Sequence, residues 1–183
     1  DAVQVQTIEV EQAQNIDAVQ VQTIEVEQAQ NIDAVQIETT NINRLYNSSS
    51  NSYLFSSNQT EIDILTGQPE WVNEGVAYSS PEVGTAQVYR FYLTQENRHF
   101  YTANDEEKNH IISSSSFSSW SYEGVAFNVF SQEEKPESAI PVVRYFNANF
   151  NSHLYSSSAF EQDLLNSSLD WVNEGTAWYG QSI

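Results

Sequence analysis

Cysteine and methionine are absent from the 183 residues, and Lys plus Arg number only 6 against 25 acidic side chains. Each shortage excludes something. Without cysteine there is no disulfide framework, no thiol nucleophile and no thiolate zinc site, which leaves carboxylates and 3 His as the strong metal ligands. Six cations in a chain of formal charge −19 cannot form a basic stripe, and the field of such a chain repels phosphate, so neither nucleic acid nor anionic membrane is an expected partner. No apolar run is long enough for a membrane-spanning helix.

The shortages are unevenly spread. Residues 1–42 hold no aromatic, Gly, Pro or basic residue, whereas 43–183 hold every aromatic and every cation. This contrast sets a boundary between an acidic arm or stalk over 1–42 and a globular domain over 43–183. In the arm, DAVQVQTIEVEQAQNI at 1–16 recurs letter for letter at 17–32, and a degenerate third copy starts at Asp33. Val3/Val5 and Ile8/Val10 sit two apart, the period of strands, and a helical wheel scatters them. The arm therefore reads as a β-forming 16-residue tandem repeat, with a flexible polar spacer as the alternative. Stacked copies would align Asp1, Asp17 and Asp33, and such a column allows weak calcium binding; no other cofactor is expected. A chain that starts on a repeat boundary is expected to be processed or to be part of a longer repetitive protein.

The globular region repeats as well. Blocks starting at Arg44, Arg90 and Arg144 align without gaps over eighteen residues, and each is followed by a matching block, WVNEGVAY from Trp71, WSYEGVAF from Trp120 and WVNEGTAW from Trp171. An Arg followed by aromatics, a polar turn, then Tyr53-Leu54-Phe55, His99-Phe100-Tyr101 or His153-Leu154-Tyr155 is a hairpin signature. Asn58/Glu61, Asn104/Glu107 and Ser158/Glu161 have capping-box spacing, which predicts a short helix after each hairpin, with Ile64-Leu65, Ile111-Ile112 and Leu164-Leu165 as its apolar side. The Trp block then returns as a strand, with Gly75, Gly124 and Gly175 at a bulge. The expected fold is mainly β with three short helices (α+β): strand-strand-helix-strand repeats over about 43–86, 87–140 and 141–180, closed around a pseudo-threefold axis.

The order Tyr89 to Tyr92, His99 to Thr102 and Trp120 to Phe127 resembles a short tandem repeat of unknown function found in sets of about three in bacterial secreted and cell-surface proteins. There it accompanies hydrolase, adhesion or surface-layer modules. The resemblance covers residues 44–179, and the first copy departs from it at Asn43 and at Tyr53, where the others carry His99 and His153. It implies an extracellular or cell-surface location and an accessory role.

Within each repeat the Arg and the Glu of the Glu-Gly pair recur together, so Arg44–Glu74, Arg90–Glu123 and Arg144–Glu174 are expected as partly buried, bidentate structural ion pairs. Trp71, Trp120 and Trp171 are expected in the core, each as the largest burial of its unit. The alternative role for these tryptophans is a stacking platform for sugar rings, and Tyr46, Tyr53, Tyr92, His99, Phe146 and His153 are the candidate ligand-binding residues, lining pockets between repeats. No catalytic motif is present, and the carboxylates Asp105-Glu106-Glu107 fall where helix capping and dipole explain them, so an enzyme is not expected. The function expected from the sequence is an extracellular structural or adhesive protein, a fibre or surface-layer subunit or adhesin assembling with other copies of itself through residues 1–40. A carbohydrate-binding module on a stalk or on a secreted enzyme is the alternative.

Overall fold

The computed structural model describes residues 37–183. The tandem repeat upstream, its carboxylate column and the self-association expected of it lie outside the described residues. Ile37–Ile183 form one compact unit. Its first strand, β1 (Thr39–Asn47), starts ahead of the compositional boundary because Ile42, fully buried, already belongs to the core.

The chain passes three times through strand, strand, helix, strand. The first pass is β1, β2 (Ser52–Ser56), α1 (Gln59–Thr66) and β3 (Trp71–Pro81). The second is β4 (Ala86–Leu93), β5 (Arg98–Thr102), α2 (Asp105–Ser113), a 3-10 turn and β6 (Trp120–Val129). The third is β7 (Ala139–Asn147), β8 (Ser152–Ser156), α3 (Ala159–Ser167) and β9 (Trp171–Gln181). All pairing between the strands is antiparallel. A six-stranded sheet runs β2-β1-β3-β9-β7-β8 and a three-stranded one β5-β4-β6. Within the larger sheet, β3 and β9 meet only where Ser79 faces Gln181. The fold is thus mainly β with three short α-helices.

Local chemistry explains each element. The hairpin turns place Asn51, Asn97 and Asn151 at φ of 49°, 50° and 50°, the left-handed region that Asn tolerates better than most side chains. Asn58 accepts from the amides of Thr60 and Glu61, Asn104 from those of Glu106 and Glu107, and Ser158 from that of Glu161. These caps matter because helices of eight or nine residues are marginal on propensity alone. The return half of the capping box is not made, contrary to the sequence expectation. The cap amides of Asn58 and Asn104 donate instead to Ser56 Oγ and Thr102 Oγ1, each at 3.0 Å, which frees Glu61 and Glu107 for other partners. Only one member of each apolar pair is buried in α2 and α3: Ile111 and Leu165 pack inward while Ile112 and Leu164 are exposed. In α1 the buried residue is Ile62.

At the centre, three equivalent positions meet. The rings of Phe55, Tyr101 and Tyr155 lie 5.7, 5.6 and 5.7 Å apart, every pair edge to face. Such contacts add to the area they bury. Tyr101 Oη bonds the backbone of Phe55, accepting from its N–H at 2.9 Å and donating to its C=O, and Tyr155 Oη serves the backbone of Tyr101 in the same way. The third link is missing because Phe55 has no hydroxyl to offer Tyr155. Phe55→Tyr is therefore expected to stabilise the domain by about 1 kcal/mol, measured by urea unfolding at neutral pH; a loss of stability would show that this corner of the triangle has no room for the oxygen.

Around this shared core each unit keeps a satellite cluster binding its helix to its own hairpin: Leu45, Leu54, Ile62 and Trp71; Phe91, Phe100 and Ile111; Tyr145, Leu154 and Leu165. Trp71 is buried as expected, but Trp120 and Trp171 are only half-buried, and the largest fully buried side chains are Tyr78, Tyr101, Tyr145 and Tyr155. The hydroxyls of Tyr101, Tyr145 and Tyr155 find partners there, whereas that of Tyr78 has none among the described residues; Trp120 and Trp171 sit where the helices leave solvent access.

Candidate functional site

The Glu-Gly pairs sit at bulges. Arg90 faces Gly124 while Phe91 faces Tyr122, so Glu123 is the extra residue of β6; Glu174 is likewise the extra residue of β9. Gly75, Gly124 and Gly175 take φ of 96°, 98° and 94°, a conformation that strains any residue with a Cβ. The bulge turns the glutamate onto the arginine of the neighbouring strand.

The arginine pairs are real but are not bidentate to one carboxylate. Each guanidinium bridges two carboxylates from different units. Arg44 Nε meets Glu74 at 2.6 Å and its Nη1 meets Glu161 at 2.8 Å. Arg90 holds Glu123 at 2.7 Å and Glu61 at 2.9 Å, and Arg144 holds Glu174 at 2.7 Å and Glu107 at 3.0 Å. The second partner is in every case the helix glutamate released from its capping box. Unit 1 thus grips unit 3, unit 2 grips unit 1, and unit 3 grips unit 2. Burial opposes ionisation of Glu61 and Glu161, but hydrogen bonds from Arg90 and Ser56, and from Arg44 and Ser156, outweigh it and hold both below the usual carboxylate range. Burial likewise works against the charge on Arg90, yet Tyr101, Glu61 and Glu123 keep it firmly protonated. With two donor nitrogens of each guanidinium committed, these arginines are joints between units and are poorly placed to capture an anionic ligand.

The six candidate ligand residues form three cross-strand pairs, one on each hairpin. Tyr46 faces Tyr53 with ring centres 5.3 Å apart, Tyr92 faces His99 at 4.7 Å, and Phe146 faces His153 at 4.9 Å. Tyr46 and Tyr92 are steadied by hydroxyl bonds to the turn residues Asn51 and Asn97. Each pair stands at a junction with another unit, that of unit 1 with unit 3, that of unit 2 with unit 1 and that of unit 3 with unit 2. Tyr53 packs on the Tyr145–Leu154 cluster of unit 3, and His153 meets Phe100 of unit 2 edge-on at 5.0 Å.

Tyr92 and His99 differ from the other pairs in bordering a large cleft. It measures about 660 Å³ and is walled on the unit 1 side by Leu54, Ile64, Leu65 and Trp71, with Asn58, Thr60 and Gln68 at its polar edge. Unit 2 contributes Tyr92, Asn97, His99 and Glu123. His99 stacks on Tyr92 with an interplanar angle of 26°, and its Nδ1 has no hydrogen-bond partner among the described residues. Burial, aided by the charge of Arg90, pulls its pKa down to about 3. The separation of 3.7 Å between His99 Nε2 and Glu123 is consequently no ion pair near neutral pH. His153 Nε2 lies closer to its carboxylate, 3.4 Å from Glu174, and that hydrogen bond is the main cause holding Glu174 below the ordinary range.

Two smaller clefts of about 410 and 210 Å³ flank Arg144 and Arg44 and are walled by the ion-paired carboxylates themselves. Among the described residues no cluster of His and carboxylates could hold a metal ion. The residues that sequence reasoning missed are Leu54 and the α1 side chains Asn58, Thr60 and Ile64, which face the cleft from a neighbouring unit. The helix glutamates were visible only as caps.

A family model described as a domain of unknown function (DUF5648) matches residues 41–181. The chain belongs to that family. No curated protein and no solved structure matches it. The DUF5648 match begins inside β1 and ends with β9, so it takes in all three units, both sheets and the cleft.

Proposed function

We propose that this DUF5648 domain is a non-catalytic binding module of an extracellular adhesive protein, built as a pseudo-threefold ring of three units and taking carbohydrate in a cleft between two of them. The observation that carries the reading is the α1/β4–β5 cleft. It sets Tyr92, backed by the largely buried His99, beside the buried Trp71 and among the planar amides of Asn58, Gln68 and Asn97. Pyranose rings offer the complement, apolar C–H faces ringed by hydroxyls, to a cleft whose lining divides about evenly between apolar and polar side chains. The ring arrangement is supported by the near-equilateral aromatic triangle and by the cyclic order of the arginine bridges.

A second reading, a subunit of a fibre or surface layer, is favoured by the strand-period Val and Ile of the tandem repeat, which need a covering that an isolated strand cannot supply. The two readings combine if the repeat assembles copies and the domain binds sugar. On a glycan array the full chain is expected to retain neutral oligosaccharides and Tyr92→Ala to lose them. Removing 1–36 is expected to leave binding per chain intact while lowering the mass seen by light scattering. An array with no retained glycan sinks the binding reading, and an unchanged mass sinks the assembly reading.

A further inference from the structure

The three junctions are built from equivalent positions with different side chains. At each, one residue of the preceding unit's second strand forms the floor, and one residue of the next unit's hairpin forms the wall. Between units 1 and 2 these are Leu54 and His99, which border the open cleft. Between units 2 and 3 the floor is Phe100, whose ring is only 8% exposed and packs edge-on against both His153 at 5.0 Å and Trp120 at 6.2 Å. Between units 3 and 1 the floor is Leu154 again, but the wall is Tyr53, packed onto the cluster of Tyr145 and Leu154. Only the first junction combines the smaller floor with the smaller wall. Its lining is acidic on balance: Glu61 and Glu123 both border it, and the one cation that bridges them, Arg90, stands behind them outside the lining, so the trio carries one net negative charge.

Resting on the carbohydrate reading, we propose that the α1/β4–β5 cleft is the domain's single sugar site, that it accepts uncharged pyranosides and rejects sugar acids, and that Phe100 and Tyr53 fill the two counterpart clefts. A ring-sized side chain in a close-packed junction takes the volume a sugar face would occupy. A carboxylated sugar entering beside two glutamates meets like charge that Arg90, already committed to both of them, offsets only in part and cannot leave to pair with the ligand. The domain is then monovalent despite three copies of the motif. Multivalent adhesion would come from bringing domains together and not from the ring itself.

The tryptophans supply the test, because each junction has its own. Trp71 borders the first, Trp120 packs on Phe100 at the second, Trp171 belongs to the cluster at the third, and Trp178 is a core residue 3% exposed that serves as a reference. The four indole N–H resonances of the full chain are followed in ¹H–¹⁵N spectra during titration with cellobiose, maltose, lactose and N,N′-diacetylchitobiose, and with glucuronic acid as the charged comparison. The expected result is that an uncharged sugar shifts the Trp71 signal alone and that glucuronic acid shifts none. Tyr53→His, which copies positions 99 and 153, is expected to add a Trp171 shift. Phe100→Leu, which copies positions 54 and 154, is expected to add a Trp120 shift, and Leu54→Phe to abolish the Trp71 shift. Simultaneous shifts of Trp71, Trp120 and Trp171 in the unaltered chain would overturn the single-site assignment while leaving carbohydrate binding intact. So would a Trp71 shift to which neither opening variant adds a second. Silence of all four indoles with every sugar would overturn the carbohydrate reading itself.

Discussion

Arg90→Met is expected to lower the stability of the domain by about 3 kcal/mol, the low end for breaking a buried ion pair, because it strands two carboxylates at once. The side chain of Arg90 is 20% exposed and its partners Glu61 and Glu123 are 26% and 29% exposed, so water screens part of the loss but not most of it. Keeping the aliphatic stem as Met isolates the charge from the packing. In thermal unfolding the change corresponds to roughly 10 °C for a domain of this size. Glu123→Ala should cost much less, since Arg90 retains Glu61 across the junction, and the sequence-based expectation of one pair per repeat overestimates that single substitution. The pair Lys108–Asp105, which spans one turn of α2 with its aspartate 70% exposed, is the comparison, and Asp105→Asn, which keeps an acceptor for Tyr89 Oη, should move the midpoint far less. A midpoint for Arg90→Met within error of the unaltered chain would show that the bridge between units carries no load.

Stability is also expected to fall on mild acidification, by about 1.6 kcal/mol between pH 6.5 and pH 5, on account of His99. Folded, this imidazole stays neutral down to about pH 3, whereas the unfolded chain takes up its proton near the ordinary value of 6.5. Below that value the unfolded state binds one proton more than the folded state, which costs about 1.4 kcal/mol per pH unit. The contribution is complete above pH 6.5 and is lost progressively as the pH falls toward 3. The charged groups around the ring are Arg90 on β4, Glu61 on α1 and Glu123 on β6, and Arg90 opposes protonation more than Glu61 favours it. The depressed carboxylates Glu61, Glu161 and Glu174 add their own loss only below the usual carboxylate range, so the interval from 6.5 to 5 isolates the histidine. Urea titrations at the two pH values should show the difference in the unaltered chain and its disappearance in His99→Tyr, which carries the side chain found at position 53. A flat profile over that interval would mean that His99 is reached by water in the folded state.

Much of the local structure is legible in the sequence because it is governed by neighbours along the chain. Arg-aromatic runs around an Asn-containing turn give the hairpins, Asn or Ser three residues before Glu gives the helix starts, and Glu-Gly gives the bulges. What the sequence hides is which unit touches which. Glu61 reads as the second half of a capping box with Asn58, and nothing local reveals that Ser56 takes over that duty and sends the carboxylate to Arg90. The same applies to the candidate site. Alignment shows that Tyr53, His99 and His153 are equivalent, but the space each leaves depends on the floor residue facing it from another unit, Leu154, Leu54 or Phe100 respectively, and that pairing exists only after the chain has closed. Trp120 and Trp171 stay half-exposed for a related reason: a large apolar side chain predicts burial somewhere, but the depth depends on how far a short helix covers it.

The narrow contact between β3 and β9 bears on how such a domain is carried. Asn41 on β1 faces Ser79 on β3, and Ser79 faces Gln181 on β9, so the entry and the exit of the fold are two strand spacings apart, about 10 Å. A chain that comes in along β1 and leaves after β9 emerges beside the point where it entered. A host polypeptide can therefore carry the domain as a side pendant spliced into a surface loop, at the modest entropic cost of closing a short loop, and need not lengthen its own backbone to accommodate it.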